Sequence, residues 1–125
     1  MKEHIIIRGC GAISSLGFDA AGIAHAYLAG KPAFKTIQHQ EQPTPVAALP
    51  YEAEQELERL TAMHPEFRQL DRSVLMAIYA ARQAAQQAGW LTENGLAQAD
   101  MAVNIGSSRG ATGLFEQHFT AFQQQ

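Results

Sequence analysis

The clearest candidate for a catalytic motif in this chain is a serine between two glycines. Residues 106–110 match the G-x-S-x-G signature, in which Ser108 would stand at the tip of a nucleophile elbow between a strand and a helix. A serine hydrolase also needs an acid and a histidine that reach the serine, and only Glu116 and His118 follow it, on one short predicted helix. We therefore interpret residues 106–113 as a glycine-rich turn and keep a hydrolase that uses Ser108 as an alternative hypothesis.

A second glycine pair lies near the N-terminus. Gly9-Cys10-Gly11 follow an apolar run, as do the glycines of turns that bind the pyrophosphate of a dinucleotide. Ser14 replaces the third glycine of that fingerprint, and the acidic residue that would bind the ribose is missing, so we assign no dinucleotide site. Since no histidine is placed to activate Cys10 as a nucleophile, we expect a buried thiol that packs as a small apolar side chain.

Metal and phosphate sites lack the residue spacing that they require. The single cysteine excludes an intrachain disulfide, and no group of cysteine and histidine has the paired spacing of a zinc site. Residues 106–113 are not followed by the lysine of a P-loop. The glutamates between residues 52 and 58 alternate along a predicted helix, which spreads them around its surface and favours a solvated face over a metal site. We therefore expect no metal and no cofactor.

Composition and charge narrow the class of protein. The chain has 125 residues and a net charge of −3, and its basic residues are scattered, which argues against nucleic-acid binding. The longest run of large aliphatic residues is Ile5-Ile6-Ile7, too short for a membrane span or a secretory signal, so we expect a cytoplasmic protein that binds no membrane. Alanine supplies much of the apolar content, which favours an element packed closely between other layers. We therefore expect this chain to be part of a larger protein.

The hydrophobic pattern predicts an α/β protein. Residues 4–10 and 99–105 are apolar runs typical of strands buried on both faces, and each precedes a glycine turn and a helix. Asp19 is the expected N-cap of the first helix, and an acidic helix opens at about residue 52. Between them, residues 32–50 predict an irregular surface segment with a short strand at Val46–Leu49.

An alanine-rich helix is predicted over residues 73–89. It carries one charged residue, Arg82, and its alanines lie on more than one face, so it must be covered on several sides and lie between two layers. A last helix presents Phe115, Phe119 and Phe122 on one face. Because no glycine, proline or basic last turn ends that helix, we expect that the chain stops within an element.

Three segments carry a resemblance to a known family. They read IIIRGCGAISSLG over residues 5–17, LDRS over residues 70–73 and VNIGSSRGATGLFE over residues 103–116. The first resembles the opening strand and G-x-G-x-x-S-x-x-G turn of the β-ketoacyl-acyl-carrier-protein synthases, the condensing enzymes of the thiolase-like superfamily. The second leads into the alanine-rich helix, and the third is similar to the family's glycine-rich turn. The resemblance implies the N-terminal part of a layered αβαβα fold, in which residues 73–89 form a helix sandwiched between two sheets.

The same resemblance implies an acyltransferase. In the family, a cysteine at the N-terminus of a later helix takes an acyl group from acyl carrier protein, and two later histidines assist decarboxylation of the malonyl donor and the Claisen condensation. Neither Cys10 nor any of the five histidines matches those motifs, so no catalytic residue is assigned, and we expect this chain alone to be inactive. The implied partners are acyl carrier protein and a second synthase subunit, in a homodimer or a heterodimer, for fatty acid or polyketide-type biosynthesis.

The glycine-rich turn supplies the implied binding residues. In the family this turn lies near the dimer interface and borders the acyl pocket of the partner subunit, which implies the same position for Arg109 and Thr112. Arg109 stands where the family often has an aliphatic residue. Because an unpaired buried guanidinium is costly, we expect Arg109 to pair with a carboxylate or with carbonyl groups at the interface.

A hypothesis of a different class also fits the sequence. The chain would then be a naturally short, non-catalytic module that binds carrier protein or a full-length synthase through the stripe of Phe115, Phe119 and Phe122.

Overall fold

The computed structural model describes residues 4–92, 95–96, 100–108 and 110–123, and these form a mixed α/β fold. In this part of the chain the helices are α1 (Ala20–Leu28), α2 (Tyr51–Met63), α3 (Arg72–Gln87) and α4 (Thr112–Gln123). The strands are β1 (Lys35–His39), β2 (Gln42–Val46), β3 (Leu91–Thr92) and β4 (Gly95–Leu96), which pair as two antiparallel sheets of two strands. A 3₁₀ turn at Pro65–Gln69 connects α2 to α3. The α/β class expected from the sequence is confirmed.

Local capping explains where the predicted helices begin and end. Asp19 accepts a hydrogen bond of 2.6 Å from the backbone N–H of Gly22, which satisfies a free donor at the start of α1. α3 ends in a Schellman motif, in which the N–H of Trp90 donates to the Ala85 carbonyl at 2.8 Å. Gly89 lies in this motif with a φ of +74°, a backbone conformation that favours glycine.

The surface segment predicted over residues 32–50 contains a β-hairpin. β1 and β2 pair in unbroken antiparallel register around a two-residue turn of Gln40 and Glu41, whose φ values of 48° and 65° are those of a type I′ turn. The strand predicted at Val46–Leu49 is wrong in its bounds, because pairing stops at Val46. The chain then turns toward α2, and Leu49 packs into the core.

The core lies between α2 and α3. The buried stripe of α2 follows the spacing of a helix face and consists of Ala53, Leu57 and Leu60. Leu49 joins this stripe, and the half-buried side chains packed against it are Ile13, Phe18, Leu75, Met76 and Tyr79. An ion pair between Arg72 and Glu54 connects the two helices beside these apolar contacts. The acidic residues of α2 thus face water or a cation, as the sequence predicted.

The two predicted buried strands do not form among the described residues. Residues 4–10 and the described part of residues 99–105 carry no strand pairing. Their apolar side chains face solvent: Ile5 is 100% exposed, Ile7 is 81% exposed and Val103 is 82% exposed. The prediction is wrong for this chain because such a strand is buried only when it is covered on both faces, and the described residues show only the glycine end of the first segment in contact with α3. α3 is accordingly half-buried and not enclosed.

Candidate functional site

The first glycine pair packs its backbone directly on α3. A Cβ added to Gly9 would lie 3.1 Å from the carbonyl carbon of Ala84, and one added to Gly11 would lie 2.9 Å from the carbonyl carbon of Ala80. Each would come closer still to the carbonyl oxygen of the same residue. Because ordinary carbon contacts are about 3.5–4.0 Å, a larger residue at either position would displace the backbone of the segment or of the helix. Close packing on a helix therefore accounts for this glycine pair.

The spacing of the two glycines along the first segment matches the spacing of the two alanines along α3. Two residues of an extended segment advance about 6.6 Å, and four residues of a helix advance about 6.0 Å. Gly9 and Gly11 therefore meet Ala84 and Ala80, one helical turn apart, and the segment runs antiparallel to α3. Alanine at these helix positions leaves room for the approach.

Two glutamines on α3 bind the backbone of the same segment. Gln87 Oε1 accepts a hydrogen bond of 2.6 Å from the N–H of Cys10, and Gln83 Oε1 accepts one of 3.1 Å from the N–H of Ala12. The side-chain amide of Gln83 also donates to the carbonyl of Phe18. These side chains supply acceptors that the backbone would otherwise find in a neighbouring strand or in water.

Cys10 lines an open cleft of about 430 Å³ between this segment, the start of α1 and the side of α3. Its thiol is exposed, so the prediction of a buried thiol is wrong, because the outer side of residues 4–10 has no cover. The cleft is also lined by Asp19 and Gln86. Among the described residues that line it there is no histidine or lysine to act as a base, and we assign no nucleophile.

The N-terminal ends of α3 and α4 meet at one carboxylate. Asp71 Oδ1 accepts hydrogen bonds from the backbone N–H of Ser73 at 2.8 Å and from its hydroxyl at 2.6 Å. Asp71 Oδ2 accepts one from the N–H of Gly113 at 3.1 Å. The hydroxyl of Ser73 makes the largest contribution to a lowered pKa of Asp71, followed by the backbone N–H groups that stabilise its charged form. The carboxylate thereby connects residues that lie 42 positions apart.

The described part of the glycine-rich turn contacts the start of α3 at Gly110, whose carbonyl oxygen lies 3.5 Å from the Ser73 hydroxyl. Within the turn, Ser107 Oγ accepts a hydrogen bond of 2.8 Å from the N–H of Gly110. Thr112 is half-buried at the first residue of α4, and Arg109 lies outside the described residues. Ser108 is exposed, and within the described ranges it makes no hydrogen bond with a histidine, so the geometry offers the hydrolase hypothesis no catalytic pair.

Sequence reasoning missed the residues that assemble this site. Asp71 has the local signal of an N-cap, an aspartate two residues before a serine at a helix start, but nothing near it in the sequence points to Gly113. Gln83 and Gln87 read as ordinary polar positions of a helix. The glycines at 9 and 11 paired with alanines four residues apart are the pattern from which the contact was predictable.

Comparison of the chain with protein-family models, with curated proteins and with solved structures finds no match. Within the described residues, no helix has both the length and the apolar character needed to cross a membrane. In the same residues, no three histidine, cysteine, aspartate or glutamate side chains come together as metal ligands would. We take as the candidate site α3 together with the two glycine-rich segments that contact it, residues 9–12 and the described part of residues 106–113.

Proposed function

We propose that this chain is the N-terminal portion of a cytoplasmic β-ketoacyl-acyl-carrier-protein synthase, an acyltransferase of the thiolase-like fold. The observation that carries the proposal is that all three segments of the resemblance meet on one helix. Residues 9–12 pack along α3, residues 70–73 form its N-terminal cap, and the turn at 106–113 is tied to that cap through Asp71. Segments that are far apart in sequence thus form one continuous unit.

The direction of the chain gives further support. From Gly9 to Gly11 the first segment runs from the C-terminal toward the N-terminal end of α3. The chain after α3 lies beside that helix at β3 and comes back to its N-terminal end at Gly113. In the proposed fold the apolar runs at residues 4–10 and 99–105 pair in a parallel sheet over the helix, as the layered fold requires.

The exposed surface fits a chain whose apolar segments are covered by further parts of a layered enzyme. Ile5, Ile7, Val103 and Ile105 face solvent on segments without strand partners. Several large apolar side chains exposed on such segments suggest a surface that other protein elements cover. In the proposed enzyme the covering layers come from the rest of the synthase and from its dimer partner.

The proposed reaction is a decarboxylative Claisen condensation. An acyl group moves from the thioester of a carrier protein to an enzyme cysteine, and the carrier thiol leaves. Malonyl-carrier protein then loses CO₂, and the resulting carbanion attacks the acyl carbon, so that a carbon–carbon bond forms as the bond to the cysteine sulfur breaks. Preorganised hydrogen-bond donors stabilise the negative charge that develops. We assign neither the cysteine nor the histidines of this reaction to any residue of this chain.

The turn at 106–113 is the part of the chain that we place at the substrate. In the proposal Arg109 and Thr112 border the acyl pocket or the dimer interface, and Arg109 pairs with a carboxylate or with carbonyl groups there. Arg109→Ile in the native enzyme would leave the partner carboxylate or carbonyl groups without their donor and would change acyl-chain preference or dimer stability. An Arg109→Ile enzyme with unchanged preference and unchanged dimer stability would contradict this role.

The first half-reaction tests the proposal. The native gene product, purified from its source cell, is incubated with carrier protein that bears a labelled acyl group, and the label on the product is measured after denaturation. We expect a labelled product whose label is released by hydroxylamine, as a thioester is. Absence of covalent label with acyl chains of several lengths would refute the proposal.

A second candidate is the short non-catalytic module, which the exposure of Phe115, Phe119 and Phe122 on α4 favours. Phe115 and Phe119 stack with ring centroids 5.9 Å apart, so they form one apolar surface. The intact mass of the native product separates the two candidates. A product of 13.6 kDa that binds carrier protein or a synthase without taking acyl label would favour the module.

A further inference from the structure

Asp71 differs from an ordinary helix cap because its two carboxylate oxygens accept hydrogen bonds from two different helices. Oδ1 accepts from Ser73, at the start of α3, while Oδ2 accepts from Gly113, in the first turn of α4. The backbone N–H of Leu114 also contributes to the lowered pKa of Asp71, after that of Gly113. One carboxylate thus stabilises the free N–H groups at the starts of two helices, and its charge is favourable for both helix dipoles.

Asp19 offers an internal comparison. It caps α1 by accepting from the N–H of Gly22, and no described residue outside that helix start donates to it. An aspartate that only caps its own helix therefore has a defined geometry in this same chain. Asp71 makes the same kind of cap on α3 and, in addition, accepts a hydrogen bond from α4.

The residue at position 113 is suited to this contact. A Cβ added to Gly113 would lie 3.0 Å from Asp71 Oδ2, which is tighter than ordinary contacts. Glycine at this position therefore lets the start of α4 approach the carboxylate. By contrast, Gly106, at the other end of the turn, has no atom of a described residue within 4 Å of such an added atom.

We propose that Asp71 is the positioning residue of the glycine-rich turn: its carboxylate holds the start of α4 against the start of α3 and thereby fixes where the end of the turn, residues 110–113, lies. The inference rests on the proposed function in one respect, because that function places the turn at the border of the acyl pocket. In that setting Asp71 acts on substrate choice through Thr112 and its neighbours, without touching the substrate itself.

The first test uses amide hydrogen exchange of the native gene product, resolved by residue, in its Asp71→Ala and Asp19→Ala variants. We expect Asp71→Ala to speed exchange at Gly113 and Leu114 on the order of tenfold, as well as at the start of α3. Asp19→Ala should speed exchange only in the first turn of α1. Unchanged exchange at Gly113 in Asp71→Ala would overturn the proposal.

Asp71→Asn keeps the test decisive if the alanine variant fails to fold. Asparagine presents one acceptor oxygen and one NH₂ donor. It can therefore accept from the N–H groups of one helix start, and it leaves those of the other helix start without an acceptor. We expect one of the two starts to retain wild-type exchange and the other to lose protection, whereas Asp19→Asn, which needs one oxygen, leaves α1 protected. Full protection of both starts in Asp71→Asn would overturn the proposal.

The second test separates the positioning role from the proposed function. In the native product, the ratio of kcat/KM for a short and a long acyl chain is compared between wild type, Asp71→Asn and Asp19→Asn. We expect a change of about fivefold or more for Asp71→Asn alone. If exchange at Gly113 changes but the ratio does not, the tether stands and the placement of the turn at the acyl pocket is overturned.

Discussion

Replacing Gly11 by alanine would press a methyl group into the backbone of α3. The added Cβ would lie 2.9 Å from the carbonyl carbon of Ala80 and 2.8 Å from Cβ of Gln83, about 0.6 Å or more inside ordinary carbon contacts. The segment can relieve this overlap only by moving away, which weakens the hydrogen bond from Ala12 to Gln83. Overpacking costs about 1–3 kcal/mol, and each weakened hydrogen bond costs up to about 1 kcal/mol.

Alanine also restricts the unfolded chain, which offsets the loss by about 0.4–1 kcal/mol. We therefore expect Gly11→Ala to lower the free energy of unfolding by about 1–3 kcal/mol. Gly106→Ala is the matched control, because its added Cβ meets none of the described residues within 4 Å and its φ is not in the left-handed region. It should leave stability unchanged or raise it by up to about 1 kcal/mol.

Urea unfolding followed by far-ultraviolet circular dichroism and by the fluorescence of Trp90, the single tryptophan, measures both variants. Trp90 follows the C-terminal end of α3 and reports on the packed helix. If Gly11→Ala is as stable as Gly106→Ala, the first segment does not pack on α3 as described, and the reasoning from glycine spacing fails.

Three further predictions concern the core, the carboxylate bridge and a half-buried phenol. Leu57→Ala removes a side chain from the core and should cost about 2–5 kcal/mol in urea unfolding, whereas Leu28→Ala, at an exposed position, should cost less than about 0.5 kcal/mol; equal losses would contradict the placement of the core. Because hydrogen bonds lower the pKa of Asp71 in the folded state, its stabilisation is present above about pH 3.9 and is lost as the pH falls through the lower folded value. The difference in Tm between wild type and Asp71→Asn should therefore shrink in acid, and a difference that is constant with pH would refute the bridge. Burial raises the pKa of Tyr79 above its usual value of 10.0, so spectrophotometric titration should show a late phenol ionisation that Tyr79→Phe removes; if the ionisation lost in that variant lies at the usual value, its burial is contradicted.

Helix positions were predictable because their signals are local. Asp19 and Gly89 mark a start and an end through side-chain and backbone geometry within a few residues. The acidic helix was likewise predictable, because glutamates open its first turn and its buried residues Ala53, Leu57 and Leu60 have helical spacing.

Strands were mispredicted because their formation depends on partners. The apolar runs at 4–10 and 99–105 have the composition of buried strands, yet a strand needs a neighbouring backbone that the described residues do not supply. The same dependence explains the exposed thiol of Cys10, whose outer side has no cover.

The candidate site was predictable in part. Glycines at 106–113 predicted the turn, but the contact that orients it joins Asp71 to Gly113 across 42 positions and has no local signal. The two glycines at 9 and 11 were interpreted through the resemblance, after a dinucleotide site was rejected, and their contact with α3 was not predicted although their spacing matches that of Ala80 and Ala84 on the helix. Glycines two residues apart on an extended segment predict such a contact only when they are compared with small residues four apart on a helix.

The most direct test of the central claim is the complete condensation. The native gene product is supplied with an acyl thioester and malonyl-carrier protein, and the carrier-bound products are measured by mass spectrometry. We predict a 3-oxoacyl-carrier protein, two carbons longer than the acyl group supplied, with one CO₂ released for each. A native product that forms no 3-oxoacyl-carrier protein with any acyl chain tested would contradict the assignment to the condensing enzymes.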